Sequence, residues 1–470
     1  MGCGKKCFYC AIVVAVVAWI FNAYPWQWWK REYNIVPPVS YDGRIRFDLD
    51  NLQTPCSEDE IQTIVEKAYN ENQRIRVVAD GHSWSLIAQT QDIMVSLANY
   101  TGVDFKNQNP NEVTVNAGTS LRNISLELDK NNLAMIQLGS VAGQSIAGAI
   151  STGTHGTGLT IGNIASLVTK LRFISGTGQI VELAKGDERF EAAQVNIGLF
   201  GVLSKVTIKV KPKFNLKETR TRHKLDWCIE NLSKLASDSD YVYVKFWVEF
   251  QNNFCILFQT GETTDNITGA PSDILSFLTY YAFAVVTKIT YVIPSKTKFL
   301  MLLVNWIGFG FNTVRVDNSY LILNDYFELP VHQEGEILVD FKDSVEALEA
   351  VRDVVIEGNF PVNYITEVRF VAGDEIWLSP SYNMPSGICA ITLTIYAPSE
   401  TVERYFTAVY DATKKLNARF HWGKHFYAKR DELNLLYPKM ADFEELRLEY
   451  DPKGIFINDF IRDTFKFKED

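Results

Sequence analysis

The sequence predicts an α+β fold in two parts that follow an apolar N-terminal segment. The chain has 470 residues, which is more than one hydrophobic core usually serves. Helical and strand periodicities alternate over short connections in the first part. No GxGxxG sequence opens a helix there, so a doubly wound dinucleotide fold is not supported. The predicted parts are residues 1–33, 34–214 and 215–470.

Composition excludes some classes of function. The apolar fraction of 47% is enough for a large core. The net charge of −10 argues against a nucleic-acid partner, which requires clustered lysines and arginines. No CxxC pair occurs in the body of the chain, so we expect no metal site there.

The N-terminus resembles a membrane segment. Lys5 and Lys6 precede an uncharged run over Cys7–Trp29 that ends in several aromatic residues. Such a run is about long enough to span a bilayer, and its aromatic end suits the headgroup level. The alternative is a cleaved signal peptide, because the strictly apolar part stops near Phe21. Since no clear A-x-A cleavage site follows, we favour a single-pass anchor.

The first folded part opens with a capped amphipathic helix. Ser57 is the predicted N-cap, and Glu60 completes a capping box. The apolar stripe of this helix consists of Ile61, Ile64, Val65 and Ala68. Three strands are then predicted at 75–79, 93–97 and 112–117, and a second helix at 119–131.

A strand that ends at Gly81 and His82 is the first candidate binding element. Without a Cβ, Gly81 lets backbone N–H groups approach a ligand closely. His82 would then lie beside that ligand in a position fixed by the strand. The alternative is a turn histidine that faces solvent, and these residues alone do not decide between the two.

A glycine-rich run over 138–158 is the second candidate. It interleaves glycines with serines and threonines around His155, a composition that presents N–H groups and hydroxyls to an anion or to the edge of a flat polar ring. The alternative is a glycine-rich hairpin or a helix packed through small residues. Further strands are predicted at 167–175, 180–183 and 198–210.

Two features stand out in the second part. The segment 364–370 reads as a strand, which places Glu367 and Arg369 on one face about 7 Å apart. The alternative there is an exposed ion pair of little energetic value.

Farther upstream, residues 274–311 form two apolar arms around a polar centre. Each arm is short for a membrane span, so it is either a buried helical hairpin or a surface that lies on a membrane.

Four motifs in one order resemble a known family. They are Gly81-His82-Ser83, the run Gly153–Gly158, the segment Gly198–Val202, and His421-Trp-Gly-Lys424. From about Tyr41 to the C-terminus the chain is similar to the aldonolactone oxidoreductases, which have a vanillyl-alcohol-oxidase (PCMH) type FAD-binding domain. The resemblance implies an α+β fold with a two-subdomain FAD-binding domain followed by an α+β cap domain, whose C-terminal segment returns to the flavin domain.

The resemblance implies FAD as the cofactor. The loop 77–83 would wrap the pyrophosphate, and His82 would bond covalently to the flavin 8α-methyl and raise the flavin potential. The cofactor-binding residues implied are Val77, Val78, Ala79, Asp80, Gly81, His82, Ser83, Gln144, Thr152, Gly156, Thr157, Gly158 and Leu203.

The resemblance also implies the substrate site. Glu367 and Arg369 would grip a sugar lactone and Lys424 would polarise it, with His421 and Ser145 nearby. The implied reaction is oxidation of L-gulono-1,4-lactone at C2 by hydride transfer to flavin N5, as in ascorbate-type biosynthesis. Glu367 is the leading candidate for the base. The alternatives are galactono- or arabinonolactone dehydrogenation and oxidation of an alditol or another sugar. A further alternative is a binding module that has kept the fold but lost the chemistry. Such a protein would lack flavin.

The remaining expected partners are dioxygen and membrane lipid. Ala98 stands where gulonolactone oxidases tend to carry glycine and dehydrogenases alanine, and its methyl group would hinder dioxygen near the flavin. Because His82 groups the chain with the oxidases, we expect dioxygen as the acceptor and H2O2 as a product. We expect the anchor to lie in the endoplasmic reticulum membrane.

Overall fold

A computed structural model describes residue 40 and residues 50–78, 81–90, 92–106, 109–269, 273–308, 312–324 and 330–467. The segment predicted as an anchor, residues 1–33, lies outside this part of the chain. Within the described residues, no helix combines the length and the apolar character that a membrane span requires.

The first part begins with a small parallel sheet and its helix. Strands β1 (Leu52–Gln53), β2 (Ile75–Val78) and β3 (Ile93–Ser96) pair in the order β1-β3-β2. Helix α1 (Glu58–Glu71) starts where predicted, since the Ser57 side chain accepts from the backbone N–H of Glu60. The Glu60 carboxylate accepts in turn from the backbone N–H of Cys56, one residue before the cap.

A five-stranded antiparallel sheet forms the centre of the first part, in the order β4-β5-β9-β7-β8. Its strands are β4 (Val103–Asp104), β5 (Glu112–Asn116), β7 (Val168–Ser175), β8 (Ile180–Ala184) and β9 (Gly201–Lys209), and a separate ribbon pairs β6 (Leu133–Ala134) with β10 (Lys211–Pro212). The helices of this part are α2 (Leu121–Lys130), α3 (Ile146–Ser151) and α4 (Phe190–Gln194). The predicted strands and helices are confirmed, with ends that differ by one to three residues.

The second part is built on an eight-stranded antiparallel sheet in the order β14-β11-β13-β12-β16-β17-β15-β18. The strands are β11 (Asn215–Lys224), β12 (Tyr243–Glu249), β13 (Phe254–Thr263), β14 (Thr313–Asn318), β15 (Gln333–Asp340), β16 (Thr366–Val371), β17 (Ile388–Ile395) and β18 (Arg419–Phe420). Strand β16 confirms the strand predicted at 364–370.

Helices surround this sheet and continue to the C-terminus. They are α5 (Leu225–Ala236), α6 (Asp273–Val292), α7 (Thr297–Gly308), α8 (Ser319–Leu323), α9 (Ser344–Glu357), α10 (Ser399–Thr413), α11 (Arg430–Leu436), α12 (Met440–Tyr450) and α13 (Asp459–Phe465). A disulfide between Cys228 and Cys255 joins α5 to β13, and the sequence offered no signal for this pairing. Helices α6 and α7 occupy the two apolar arms.

The C-terminal segment packs against the first part. The backbone N–H of Ile75 donates to the Ile455 carbonyl at 2.7 Å. The Asn458 side-chain amide donates to three carbonyl groups in the turn at 86–89. Phe200 and Phe443 stack across the same contact, with ring centroids 4.7 Å apart. We propose the division at 214/215, where β11 begins, with the C-terminal segment as a return of the second part onto the first.

Asp374 joins the two parts through a hydrogen-bonded carboxylate. It accepts from the side chains of Ser379 (2.6 Å), Ser381 (2.9 Å) and, in the first part, Asn163 (3.0 Å). Burial outweighs these hydrogen bonds and raises the pKa of Asp374 from 3.8 to about 6. The folded protein therefore holds this proton more tightly than the unfolded chain does.

We predict a pH dependence of stability from this carboxyl group. Its contribution is complete below the unfolded pKa of 3.8 and is lost as pH rises through the folded pKa of about 6. The loss is about 3 kcal/mol of unfolding free energy. Chemical denaturation of Asp374→Asn, compared with the parent across pH 4–7, should lack this decrease. An equal decrease in both proteins would contradict the assignment.

Candidate active site

A cavity lies between the two parts and is lined by residues of both. The first part contributes the turn at 81–84 and the glycine-rich loop up to His155. The second part contributes residues of β15, β16 and β17 and the turn that contains His421 and Lys424. The cavity thus brings together residues of all four motifs, which the sequence separates by as much as 340 residues.

The turn that contains His82 forms one wall with the His421–Lys424 turn. Gly81 has a φ of 70°, a left-handed conformation that favours glycine. The Trp84 backbone N–H donates to the Gly423 carbonyl at 2.7 Å, and the Ser85 hydroxyl donates to the Trp422 carbonyl at 2.8 Å. His82 is half-buried and lines the cavity, so it does not face bulk solvent as a free turn residue would.

Most of the residues predicted to bind a cofactor line the same end of the cavity. Ala79 and Asp80 lie outside the described residues. Those that line the cavity are Val77, Val78, Gly81, His82, Ser83, Gln144, Thr152 and Leu203.

The walls at this end fit a flat, polar-edged ligand such as a flavin. Gly139, Gly148, Gly198 and Gly201 line the cavity without side chains. A Cβ at Gly201 would lie 2.0 Å from the Ile174 carbonyl oxygen, so only glycine lets the backbone pass there. Within the described residues, the buried side-chain oxygen of Gln144 has no hydrogen-bond partner and is available to a ring N–H.

Arg76 adds a buried positive charge to this wall. Its guanidinium donates to the carbonyl groups of Ile197, Gly198 and Phe456 at 2.7–3.1 Å. Burial lowers the pKa of Arg76 to about 10, so the side chain remains charged at neutral pH. Its hydrogen bonds go only to neutral carbonyl groups and the Asp451 charge offsets only part of the cost of burial, so a further anion such as a pyrophosphate would stabilise this cation. Arg76 lies in the predicted strand 75–79, where no sequence signal indicated a role for it.

Gly156, Thr157 and Gly158 do not line the cavity. A Cβ at Gly156 would lie 2.2 Å from the Leu138 carbonyl oxygen. The Thr157 hydroxyl donates to the Val244 carbonyl and accepts from the Phe370 backbone N–H, while the Gly158 N–H donates to the Phe370 carbonyl. These residues fasten the glycine-rich loop to strands β12 and β16.

At the other end, four neighbouring strands bring polar side chains into one row. Trp247 on β12 pairs with Glu367 on β16, which pairs with Thr392 on β17, which pairs with Glu336 on β15. Cross-strand partners point to the same face of a sheet. This register explains how residues from 247 to 392 meet at one cavity wall.

Arg369 is at the centre of this wall and is buried. Its guanidinium contacts the Glu336 carboxylate at 2.7 Å and the Glu367 carboxylate at 3.3 Å. It also donates to the His155 carbonyl at 3.2 Å and to the Ser140 hydroxyl at 3.3 Å. The alternative of an exposed ion pair is therefore wrong.

Glu367 is held ionised by two cations. Its carboxylate accepts from Lys245 at 3.0 Å and from the Trp247 indole N–H at 3.2 Å. Burial alone would raise the pKa of Glu367, but the charges of Lys245 and Arg369 outweigh it and lower the pKa to about 2.

Lys424 bridges two further carboxylates that the sequence analysis did not single out. Its ammonium lies 3.0 Å from Glu334 and 3.4 Å from Glu336. Burial would raise the pKa of Glu334, but Lys424 and His332 lower it to about 2. Burial opposes ionisation of Glu336 as well, yet Lys424, His155 and Arg369 hold its pKa well below 4.5.

His421 lies in the same cavity as a neutral ring. Burial is the main cause that lowers the pKa of His421 to about 3. Its Nδ1 accepts from the Gly423 backbone N–H at 3.1 Å, so the neutral ring carries its proton on Nε2. His421 is therefore a hydrogen-bond donor at Nε2 and not a base.

The carboxylates at this end of the cavity are equal in number to the lysine and arginine side chains that contact them. Three carboxylates (Glu334, Glu336 and Glu367) face three cations (Lys245, Arg369 and Lys424), all linked by contacts of 2.7–3.4 Å. A charge-balanced wall of fixed donors and acceptors suits an uncharged polyhydroxylated ligand better than an acid.

Comparison with known proteins assigns the family. Residues 206–464 match the family described as D-arabinono-1,4-lactone oxidase. The chain belongs to the D-arabinono-1,4-lactone oxidase family. Residues 50–184 match the family described as FAD binding domain. The protein is therefore a flavin-dependent oxidoreductase with FAD as its cofactor.

Several relatives match this chain over most of its length. L-gulonolactone oxidase of Bos taurus is 27% identical over 95% of this chain and 99% of its own. L-gulono-1,4-lactone dehydrogenase of Mycobacterium tuberculosis (strain ATCC 25618 / H37Rv) is 30% identical over 87% of this chain and 94% of its own. The crystal structure of cholesterol oxidase from B. sterolicum, with 14% identity, has a TM-score of 0.72 over 92% of this chain and 96% of its own. This likeness shows the α+β FAD-binding fold.

The resemblance placed Ser145 near the substrate and Ala98 near the flavin. Ser145 lines the cavity, but its hydroxyl caps α3 by accepting from the Gly148 N–H. Ser140 instead contacts both Glu367 and Arg369, at 3.3 Å each. Ala98 is half-buried, and the cavity wall there is formed by its neighbour Leu97.

Proposed function

We propose that this protein oxidises a neutral sugar-1,4-lactone at C2, with L-gulono-1,4-lactone as the preferred substrate and dioxygen as the acceptor. The observation that carries the proposal is the charge-balanced cluster around Arg369, Glu367 and Lys424 in the cavity that also holds the cofactor-lining residues. A lactone offers the cluster a carbonyl oxygen and several hydroxyl groups without a net charge.

The chain's residues would hold FAD at the glycine-lined end of the cavity. When bound, FAD supplies the acceptor, at N5, for the hydride that leaves the substrate carbon. Gln144 and Thr152 would meet the polar edge of the ring and its side chain, and Arg76 with the loop 77–83 would face the pyrophosphate. His82 would attach the flavin covalently.

Arg369 and Lys424 would orient the lactone and stabilise negative charge on its oxygens. Both cations are fixed by buried carboxylates, so neither has to reorganise when charge develops. His421 donates from Nε2 into the same space. Ser140, which touches Glu367 and Arg369, completes the set of groups that a substrate hydroxyl would meet.

Glu367 would accept the proton of the C2 hydroxyl. Its low pKa of about 2 makes it a weak base toward an ordinary alcohol. As hydride leaves C2, however, the hydroxyl becomes the far more acidic O–H of a protonated carbonyl. Proton transfer to Glu367 would then follow or accompany hydride loss and would not precede it.

The acceptor and the location belong to the same proposal. Support for dioxygen comes from His82, while Ala98 favours the alternative, a dehydrogenase that reacts slowly with dioxygen.

Residues 1–33 would attach the enzyme to the endoplasmic reticulum membrane, a proposal supported by the uncharged run in their sequence.

A lactone panel tests substrate and acceptor together. Purified yellow protein is mixed without oxygen with gulono-, galactono- and arabinonolactone and with an alditol, and bleaching of the flavin absorbance is followed. We expect the fastest bleaching with L-gulono-1,4-lactone and rapid recovery of colour on addition of dioxygen. Colour recovery too slow for turnover would favour a dehydrogenase, and bleaching by the alditol alone would overturn the substrate assignment.

A further inference from the structure

His332 is a buried histidine directly behind the cavity wall that carries Glu334. It precedes strand β15 by one residue and is only 4% exposed. Its ring lies between the rings of Trp84 and Tyr364, at centroid distances of 5.4 Å and 5.2 Å. Glu334 lines the cavity, whereas His332 does not. The imidazole can therefore act on the cavity only through a neighbouring side chain.

Both ring nitrogens of His332 face hydrogen-bond acceptors. Nδ1 lies 2.7 Å from the Pro330 carbonyl oxygen, and Nε2 lies 3.0 Å from Oε1 of Glu334. A carbonyl oxygen can only accept, so Nδ1 carries a proton. A second proton lies between Nε2 and the carboxylate, because two lone pairs would repel at this distance. Although burial alone would raise the pKa of Glu334, Lys424 and His332 lower it to about 2, so this proton belongs to the ring.

The other carboxylate oxygen of Glu334 holds Lys424. The ammonium lies 3.0 Å from Oε2 of Glu334 and 3.4 Å from Oε2 of Glu336. An ammonium has three N–H groups, so beyond these two contacts one N–H can point into the cavity. The backbone is fixed as well, since the His425 N–H donates to the Glu334 carbonyl at 2.9 Å. Glu334 therefore sets the position of Lys424, and His332 sets the position of the Glu334 carboxylate.

The segment around His332 is also tied to the turn that contains His82. The Trp84 indole N–H donates to the His332 backbone carbonyl at 3.0 Å. The Trp84 backbone N–H donates to the Gly423 carbonyl at 2.7 Å. His332 thus connects the turn that would attach the flavin with the turn that carries Lys424.

We propose that His332 is a positioning residue for Lys424: as an imidazolium it fixes one oxygen of Glu334, so that the other oxygen holds the ammonium toward the lactone. A Glu334 carboxylate with Lys424 as its only cation would turn both oxygens to the ammonium and compete with the substrate for it. Sharing Glu334 between two cations leaves more of the ammonium's charge for a substrate oxygen. This role rests on the proposed function, because it acts on the residue that would polarise the lactone.

Asparagine and glutamine distinguish the two nitrogens of the imidazole. The amide N–H of His332→Asn can replace Nδ1 and reach the Pro330 carbonyl, whereas that of His332→Gln can replace Nε2 and reach Glu334. Flavin reduction at saturating L-gulono-1,4-lactone is followed without oxygen, for each variant alone and combined with Glu334→Gln. His223→Asn is the matched control, since His223 also stacks on a tryptophan but lines a surface depression. Flavin absorbance reports that each protein is folded.

We expect His332→Asn to reduce the flavin about tenfold more slowly than the parent and His332→Gln to stay within about threefold of it, a coupling typical of one hydrogen-bond network. In the Glu334→Gln background, the two variants should differ by less than about twofold, because the carboxylate through which His332 acts is gone. Equal rates of the Asn and Gln variants would overturn the role, and so would a difference that persists in full without the Glu334 carboxylate.

A second measurement needs no substrate. The chain has six histidines, and nuclear magnetic resonance of full-length protein with isotope-labelled histidine nitrogens identifies His332 by the signals that His332→Gln lacks. We expect both ring nitrogens of His332 to carry a proton at neutral pH, and one nitrogen without a proton would contradict the imidazolium. Failure of every lactone to bleach the flavin would instead contradict the proposed function, so the two failures are distinguishable.

Discussion

Replacing Arg369 by methionine is expected to slow lactone-dependent reduction of the flavin about 10²–10³-fold, the loss typical for one preorganised electrostatic group. The guanidinium contacts Glu367, Glu336 and Ser140 at the wall where the substrate would bind, so no other cation can take its place without a rearrangement. Anaerobic stopped-flow absorbance at the flavin band measures the rate. The flavin itself should remain bound, because the hydrogen bonds and ion pairs of Arg369 go to Glu336, Glu367, Thr392, Ser140 and the His155 carbonyl and not to any residue assigned to the cofactor.

The Arg369→Met variant also leaves two carboxylates without their shared cation. Breaking a buried ion pair costs up to about 3–5 kcal/mol of stability, an upper bound here because Glu367 keeps Lys245 and Glu336 keeps Lys424, and this loss would confuse the activity result. Adding Glu336→Gln should restore much of the stability without restoring the rate. Arg315→Met serves as the matched control, because Arg315 forms a similar ion pair with Asp317 on the edge strand β14, at 2.7 Å. A normal rate in the restored double variant would remove Arg369 from the substrate site.

Replacing His82 by alanine is expected to abolish covalent attachment of the flavin. The His82 side chain lines the cavity on a turn that is fixed to the Gly423 carbonyl through Trp84, so it is held against the cofactor. Denatured parent protein should show flavin fluorescence on a gel, stronger in acid, and the His82→Ala protein should show none. Its remaining flavin should bind reversibly and have a lower reduction potential.

His223→Ala controls for the loss of a histidine. His223 stacks on Trp227 with ring centroids 3.9 Å apart, on the outer surface of the cap domain. This variant should keep the covalent flavin. Fluorescence that persists in denatured His82→Ala would move the attachment point elsewhere, and its absence from the parent would show that the FAD is held without a covalent bond.

Local signals predicted the secondary structure well. The Ser57 cap and the stripe of α1 depend only on neighbouring residues, and the structure contains them. The same holds for β16, where alternation correctly placed Glu367 and Arg369 on one face.

Long-range pairing explains what the sequence analysis missed. Glu334 and Glu336 alternate along β15 like any polar strand face, and only the strand order β16-β17-β15 brings Glu336 against Arg369. The role of Ser145 was implied by the resemblance alone, and its capping of α3 becomes visible only in the structure. A glycine at position 156 is compatible both with contact to a ligand and with tight packing inside the protein. The structure shows the packing, against the Leu138 carbonyl.

The most direct test of the account is an isotope effect on flavin reduction. Full-length protein is mixed anaerobically in a stopped-flow instrument with L-gulono-1,4-lactone that carries either hydrogen or deuterium at C2. We predict that the flavin band bleaches in a single turnover and that deuterium slows the bleaching several-fold, because the C2–H bond breaks in that step. Bleaching at the same rate with both lactones, or no bleaching by any lactone, would contradict hydride transfer from C2 in this cavity.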